Sequence, residues 1–365
     1  MHIIKIFLVT LLFAARLCGL VTLEDHADGL QLTTLYGTTK ITEPILIALI
    51  KCPAFERLKH INQYGVVHYV QGQFTFTRYQ HSLGVFFLTR SFGAPLEEQI
   101  DALLHDVSHT VFSHVGDNVF NSDYRTGKQS YQDTIHEWHL QQNGIADILQ
   151  THGYDMKAVV ADKKKHRCFD QDLPDICADR LEYNLSGGFL DKYISVQEIK
   201  NVLNSIHFSD GQWFFDDTEH AKKLAYISLQ LSENRWGAAW GAFVDWSASQ
   251  AIKRACELRL ITTHDIHFSI DNTVWQILTS CNDAFIARQI MRIQNCHESF
   301  DICTPEASDM HVVGKFSGIN PLVMIDGTLK RLTELDSDYK HEFDRVKKIV
   351  TSGWHIQYKN SAQSA

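Results

Sequence analysis

The sequence predicts a mainly α-helical protein with a few short β-hairpins and a small α+β appendage at the C-terminus. Two observations support this class. Apolar residues return at three- and four-residue steps through most of the chain, which is the period of an amphipathic helix, whereas strict alternation is rare. The chain of 365 residues is 44% hydrophobic and 21% charged, so it carries enough apolar material for a large buried core.

The helical period is clearest in six stretches. They are residues 41–61, 81–92, 96–120, 134–152, 198–206 and 218–260. Two shorter pieces, residues 65–70 and 212–217, have strand-like composition and are bounded by turn formers, so each is predicted to form a hairpin. Within the last helical stretch, four aromatic residues share one stripe that we interpret as core packing: Trp236, Trp240, Phe243 and Trp246.

No proline-rich or low-complexity linker divides the chain before about residue 300. We therefore expect one main domain over residues 21–295, followed by the appendage over residues 296–365. Residues 1–20 form a possible signal peptide, because Lys5 precedes an apolar run that is too short to span a membrane. A buried N-terminal helix and an extension from an early start codon are the alternatives.

Composition argues against some classes of function. The 34 Lys and Arg residues face 43 Asp and Glu residues, so we expect no nucleic-acid partner, because such binders neutralise phosphates with clustered basic side chains. The eight cysteines contain no C-x-x-C pair, so a zinc knuckle is not indicated. No stable membrane span is expected. The chain would be periplasmic or secreted if the signal peptide is real, and otherwise cytoplasmic.

Residues 102–117 place three histidines and two aspartates in a segment with the hydrophobicity of a buried helix. His105 and His109 lie four residues apart and share a helix face. The adjacent Asp106 leaves a helix about 100° away from His105, so these two side chains can straddle an ion seated against the helix. One histidine on an apolar face is more often a core residue, but the grouping of several indicates a metal site.

Further ligands must come from elsewhere in the chain. His81 begins an apolar helical stretch, and Asp179 lies in a later helical segment. Two neutral imidazoles and two carboxylates give a mixed set of nitrogen and oxygen donors, which suits Mn, Fe, Mg, Zn or Ni.

These motifs, in this order, resemble the HD-domain superfamily of metal-dependent phosphohydrolases. The resemblance is carried by RYQHSLGV around His81, HDVSHTVFSHVGD from His105 onwards, and DICADRLEYN around Asp179. Residues 51–190 are most similar to the dNTP triphosphohydrolase branch, which includes the vertebrate SAM-and-HD-domain and bacterial dGTPase-like enzymes. The resemblance implies an HD-domain helical bundle in which one divalent metal ion is held by four ligands: His81, His105, Asp106 and Asp179.

The resemblance also implies roles for residues around the metal. Asp117 and His136 match a catalytic pair in which the carboxylate orients the imidazole, and the imidazole transfers a proton. The residues that match substrate contacts are Gln63, Arg78, His109, His114, Arg180 and Tyr183.

Two positions depart from the family pattern. Tyr64 stands where an aliphatic residue packs against the sugar, and Gly187 stands where an aspartate fixes the 3′-hydroxyl. Hydrolysis of a deoxynucleoside triphosphate is therefore less well supported than metal-dependent hydrolysis of a phosphoester.

The first hypothesis is accordingly an HD-type metal-dependent phosphohydrolase that acts on nucleotides. Its narrower form is a (d)NTP triphosphohydrolase, and both a monomer and a homo-oligomer stay open. The second is a catalytically silent sensor that binds a nucleotide or a metal. A helical scaffold with incidental histidines would require the four proposed ligands to be distant in space.

Overall fold

Helices form most of the structure, so the predicted mainly α class is confirmed. This computed structural model describes residues 20–70, 76–120, 130–160 and 165–359. Residues 1–19, which contain most of the predicted signal peptide, lie outside the described residues. Within the described part, no helix is both long enough and apolar enough to cross a membrane.

The helices of the first part of the chain are numbered in chain order. They are α1 (Pro44–Ile50), α2 (Pro53–Arg57), α3 (Arg78–Ser91), α4 (Leu96–Leu104), α5 (Val115–Val119), α6 (Tyr131–Gln142), α7 (Ile145–Thr151), α8 (Met156–Val159), α9 (Ala178–Leu190) and α10 (Val196–Ser205). The later helices are α11 (Thr218–Leu231), α12 (Ala239–Glu257), α13 (Thr263–Phe268), α14 (Asp271–Ser280), α15 (Ala284–Gln294), α16 (Cys296–Ser299), α17 (Leu332–Leu335) and α18 (Ser337–Ser352).

Short strands lie at both ends of the chain and between α10 and α11. They are β1 (Val21–His26), β2 (Gly29–Thr34), β3 (Gly37–Ile41), β4 (Ile206–Ser209), β5 (Gln212–Phe215), β6 (Phe300–Ile302), β7 (Met310–Val312), β8 (Leu322–Ile325), β9 (Thr328–Arg331) and β10 (Trp354–Tyr358).

The strands of the described residues form three small sheets. β1, β2 and β3 form an antiparallel meander that the sequence analysis did not predict. β4 and β5 form the predicted hairpin, and β5 also pairs in parallel with β8, which pairs antiparallel with β9. β6 and β7 flank β10 on its two sides.

The hairpin predicted over residues 65–70 is wrong. These residues form the 3₁₀ helix Gly65–Tyr69 instead. The backbone N–H groups of Val67 and Val70 donate to carbonyls three residues earlier in the chain, so the segment makes its own turns rather than pairing with a strand.

The helix predicted over residues 96–120 is divided into two. α4 ends at Leu104 and α5 begins at Val115, and the residues between them form successive turns. Phe112 and Ser113 adopt φ values of 58° and 55°, which a right-handed helix cannot contain. His105 to His114 therefore lie on a turning segment, which can direct neighbouring histidines toward different groups.

The core surrounds α3, which packs against α4 and α9. A capping box of Thr77 and Gln80 begins the helix. Leu83 and Phe86 are fully buried, and each burial contributes on the order of 2 kcal/mol to folding. Because α3 has core on nearly every side, His81 in its first turns is held away from solvent and is 1% exposed.

The C-terminal segment is interwoven with the rest of the fold. The sheet β4–β5–β8–β9 combines strands from both sides of the predicted boundary at residue 296. Trp354 Nε1 donates to the carbonyl of Gly237 at 2.9 Å. The backbone of Gly314 lies so close to Gly237 that a Cβ on Gly314 would be 2.6 Å from the Gly237 Cα. This crossing brings the following residue, Lys315, to the wall of the cavity described below.

One buried carboxylate joins two loops that lie beside the candidate site. Asp271 accepts hydrogen bonds from the backbone N–H groups of Asn62 at 2.8 Å and Phe112 at 2.7 Å. Ser113 Oγ donates to the Asn62 carbonyl at 2.5 Å. The loop before α3 and the turn before α5 are therefore fixed against each other.

We predict that Gly65→Ala destabilises the protein more than Gly93→Ala does. Both glycines have positive φ, 55° and 77°, so an alanine carries a similar backbone cost of about 1 kcal/mol at each. A Cβ on Gly65 would also lie 2.5 Å from the Phe112 carbonyl oxygen, whereas nothing lies within 4 Å of one on Gly93. Urea unfolding midpoints measure the difference, and equal midpoints would contradict this contact.

The second prediction concerns pH. Burial raises the pKa of Asp271 to about 7, against the opposing effects of its two N–H donors and Arg57. The folded state therefore holds this proton more tightly than the unfolded chain, and stability falls as pH rises from about 4 to about 7.

Asp271→Asn should lack this part of the pH dependence, on the order of a few kcal/mol. The free energy of unfolding, measured in urea at several pH values for wild type and variant, tests this. We expect the variant to be less stable at every pH, because the amide NH₂ that replaces one Asp271 oxygen would face a backbone N–H donor. This offset does not change how the free energy of unfolding varies with pH, which is the quantity compared. Parallel pH profiles would contradict the raised pKa.

Candidate metal centre and substrate cavity

The four predicted metal ligands come together from three parts of the chain. His81 lies on α3, His105 and Asp106 follow α4, and Asp179 lies in the first turn of α9. His81 Nε2 is 3.2 Å from His105 Nε2 and 3.0 Å from Asp179 Oδ1. The ligand atoms of His81, His105 and Asp106 all lie within 4.8 Å of one another. The scaffold hypothesis, which required these residues to be distant, is wrong.

The partners of the two imidazoles show that the residues fit a metal ion. His81 Nδ1 lies 2.5 Å from a Glu182 carboxylate oxygen, and His105 Nδ1 lies 2.8 Å from the Ala102 carbonyl. Both partners only accept hydrogen bonds, so Nδ1 carries the proton in each neutral ring. Each Nε2 then directs a lone pair at the other and at the carboxylates, an arrangement that a divalent cation would satisfy.

The close approach of these charged groups shifts the pKa values of His81 and Asp179. Burial lowers the pKa of His81, but Glu182, Asp179 and Asp106 outweigh it and raise the value to about 10. Burial opposes ionisation of Asp179, yet its hydrogen bond with His81 lowers the pKa to about 2.

Asp106 is held by two further side chains. Arg78 donates to Asp106 Oδ2 at 2.7 Å, and His109 Nε2 lies 3.1 Å from Oδ1. Burial favours the neutral acid, but Arg78 and the nearby imidazoles hold the pKa of Asp106 well below its usual range. Arg78 also donates to Ser113 Oγ at 3.0 Å and to the Gln63 carbonyl at 3.3 Å. Arg78 and His109, which were both predicted to contact the substrate, therefore bond protein groups in this structure.

The predicted pairing of Asp117 with His136 is corrected by the structure. Asp117 Oδ2 lies 2.9 Å from His114 Nδ1, and Oδ1 accepts from the Tyr131 N–H at 2.6 Å. The turn before α5 sets this pairing, because it places His114 at the N-cap of the helix, three positions before Asp117. The spacing of these residues along the chain does not show whether Asp117 pairs with His114 or with His136.

His136 on α6 bonds a hydroxyl instead. Its Nδ1 lies 2.7 Å from Ser108 Oγ, which donates its own proton to Gln132 at 2.8 Å. The neutral imidazole is therefore protonated at Nδ1, and Nε2 carries a lone pair with no hydrogen-bond partner among the described residues. Burial, together with His105, lowers the pKa of His136 to about 4.

The remaining predicted substrate contacts lie on the loop before α3 and on α9. Arg180 donates to the carbonyls of Asp175 at 3.0 Å and Gln171 at 2.5 Å, so these bonds fix the chain before α9. Gln63 and Tyr183 both line a cavity beside the metal ligands. Gln63 Oε1 is buried and has no hydrogen-bond partner in the described part of the chain.

This cavity has a volume of about 160 Å³ and aromatic walls. Its aromatic lining residues are Tyr64, Phe112, Tyr183, Trp236 and Trp240, and its cationic ones are Arg78, Arg235 and Lys315. The core interpretation of the aromatic stripe holds for Phe243, which is fully buried, whereas Trp236 and Trp240 are partly buried against the core and also line the cavity. The sequence analysis did not identify three residues near the site. They are Arg235 and Lys315, which line the cavity, and Glu182, whose carboxylate contacts His81.

The two departures from the family pattern are neighbours in space. A Cβ on Gly187 would lie 3.1 Å from the Tyr64 hydroxyl oxygen and 3.2 Å from Leu231. The Tyr64 ring stacks on Trp236, with centroids 6.5 Å apart and planes 8° apart, and the Arg235 guanidinium lies 5.8 Å from its centroid. Tyr64 therefore occupies the space that the missing side chain at residue 187 leaves.

No family model matches the chain. It is 30% identical over 302 residues to YdhJ, an uncharacterised protein of Bacillus subtilis, and the match covers 80% of this chain and 87% of YdhJ. It is 33% identical over 208 residues to the metal-dependent phosphohydrolase cns2 of Cordyceps militaris, covering 55% of this chain and 59% of cns2. Identity to the deoxynucleoside triphosphate triphosphohydrolase SAMHD1 of Bos taurus is 24%, covering 48% of this chain and 33% of that enzyme.

Two solved structures share the fold. A phosphohydrolase from Bacteroides thetaiotaomicron gives a TM-score of 0.66 and covers 93% of this chain and 100% of its own, at 15% identity. A hypothetical protein from Aquifex aeolicus gives a TM-score of 0.64 at 15% identity, and the match covers 91% of this chain and 100% of the other. The chain thus belongs to one family with YdhJ, and its named relatives confirm the resemblance to HD-domain metal-dependent phosphohydrolases that its motifs carry.

Proposed function

We propose that this chain hydrolyses a phosphoester or triphosphoester bond of a nucleotide, with one divalent cation held by His81, His105, Asp106 and Asp179. The observation that carries the proposal is the convergence of two imidazole lone pairs and two carboxylates next to a cavity with aromatic walls. The relatives named metal-dependent phosphohydrolase and dNTP triphosphohydrolase support the reaction class.

A bound Mn, Fe, Mg, Zn or Ni ion would polarise a phosphoryl oxygen and lower the pKa of water. The protein's own cations would gather the substrate's negative charge. Arg78 lies between Asp106 and the cavity, and Lys315 reaches the same cavity from the C-terminal segment. Charges that are already fixed in place stabilise a phosphoryl transition state at little reorganisation cost.

We assign proton transfer first to His114. Its Nδ1 faces the buried Asp117 carboxylate, which stabilises the imidazolium after a proton is taken up, and its side chain lines the cavity. His136 keeps a second role as a proton acceptor, because its low pKa leaves it neutral near pH 7 with a lone pair at Nε2.

The cavity would take the planar or sugar part of the substrate. Its volume of about 160 Å³ lies below the several hundred Å³ of typical ligand pockets, so it accommodates part of a nucleotide while the phosphate lies at the metal ligands. The tryptophans and tyrosines offer stacking surfaces for a base. The Gln63 Oε1 atom offers an acceptor to a substrate hydroxyl or amino group.

A sensor that binds a nucleotide or metal without turnover is the second candidate. It is favoured by the hydrogen bonds that Arg78 already makes to Asp106, Ser113 and Gln63, because a substrate phosphate would have to compete with them.

We expect purified protein with Mn²⁺ or Mg²⁺ to release phosphate or triphosphate from at least one member of a panel of dNTPs, NTPs, nucleoside monophosphates and cyclic dinucleotides. The double variant His105→Ala, Asp106→Ala is the control and should be inactive. Product release is followed by chromatography. Thermal stabilisation by a nucleotide without any turnover across the panel would instead establish the sensor.

On a substrate from that panel, His114→Gln should lower kcat by roughly 10²- to 10⁴-fold, because it removes the imidazole that exchanges the proton. Asp117→Asn should lower it less, since the imidazole remains but loses its counter-charge. His341→Gln, on the outer face of α18, is the matched control. If His136→Gln abolishes turnover while His114→Gln leaves kcat intact, the assignment of the two histidines is reversed.

A further inference from the structure

Glu182 is the carboxylate on which the orientation of His81 depends. It is 2% exposed and lies on α9, one turn after Asp179. Besides the contact with His81 Nδ1, it accepts from the Ser186 hydroxyl at 3.3 Å. A Cβ on Gly84 would lie 2.7 Å from Glu182 Oε1, so α3 and α9 approach closely enough at this point to confine the carboxylate.

The second carboxylate oxygen of Glu182 is held from outside the helical bundle. Tyr36, in the turn between β2 and β3, donates its hydroxyl to Glu182 Oε1 at 2.9 Å and lies 3.2 Å from the Glu182 carbonyl. The Tyr36 ring packs against Phe87 of α3, with centroids 6.3 Å apart. Burial and the nearby carboxylate raise the pKa of Tyr36 well above its usual range, which keeps the hydroxyl a donor.

These contacts form one chain from the N-terminal sheet to the metal ligand. Tyr36 restrains Glu182, Glu182 accepts the Nδ1 proton of His81, and that proton fixes which ring nitrogen is left for a cation. Groups of this kind behind a metal ligand usually change metal affinity by 10- to 100-fold when they are removed.

We propose that Tyr36 is a positioning residue for the metal centre, and that the β1–β2–β3 sheet is therefore part of that centre rather than a peripheral addition. The inference rests on the proposed function, because it takes His81 as a metal ligand. It extends that function by assigning a role to a segment that lies outside the motifs shared with the HD-domain superfamily.

The test measures metal binding directly and does not require turnover. Full-length wild type, Tyr36→Phe, Glu182→Gln and His81→Ala are stripped with a chelator and titrated with Mn²⁺ or Zn²⁺ by calorimetry. Tyr226→Phe is the matched control, because it removes the same hydroxyl group from a tyrosine that packs against Tyr339, far along the chain from the metal ligands.

We expect Tyr36→Phe to weaken metal binding by roughly 3- to 10-fold and Glu182→Gln by roughly 10- to 100-fold, while Tyr226→Phe binds as wild type does. Melting temperatures of the metal-free proteins show that each variant is folded. Equal affinities for wild type and Tyr36→Phe, with His81→Ala still impaired, would overturn this inference alone. Wild type that binds neither metal, or His81→Ala that binds as well as wild type, would overturn the metal site itself.

Discussion

The structure is organised around an electrostatic problem at its centre. Two imidazoles and two carboxylates are directed at one small volume, and two of these groups, His81 and Asp106, are almost completely removed from water. Like charges and lone pairs at such distances repel strongly in a medium of low dielectric constant. The surrounding protein supplies hydrogen bonds from Arg78 and His109 to Asp106 and from His81 to Glu182, and these fix the groups without removing the need for a cation.

The same helices that create this centre also place the cavity beside it. Arg78 begins α3 three residues before His81, so the helix that carries this candidate metal ligand also places a cation at the cavity wall. Asp271 then fixes the two loops that carry Gln63, Tyr64 and His114. The candidate metal ligands, the proposed proton-transfer groups and the cavity wall are thus connected by short hydrogen bonds.

The sequence could predict the helical class and the four residues that come together at the candidate metal centre, because helical periodicity and the HD motifs can be read directly from the chain. It could not predict the Asp117–His114 pair, since two positive φ values decide the direction of that turn. It missed Tyr36, Glu182 and Lys315 for a related reason. Each meets residues far away in the chain. Glu182 lies within the motif DICADRLEYN, but the motif does not show that its carboxylate faces His81.

The contact between Tyr64 and Gly187 has a consequence for how this family can change over time. Neither position is independent, because a side chain on residue 187 meets the Tyr64 hydroxyl and Leu231. A side chain at residue 187 would therefore require Tyr64 or Leu231 to shift, so a shorter residue at position 64 would make room for it. Substitutions at residues 64 and 187 of this chain are therefore expected to be coupled, and shortening Tyr64 alone would enlarge the cavity.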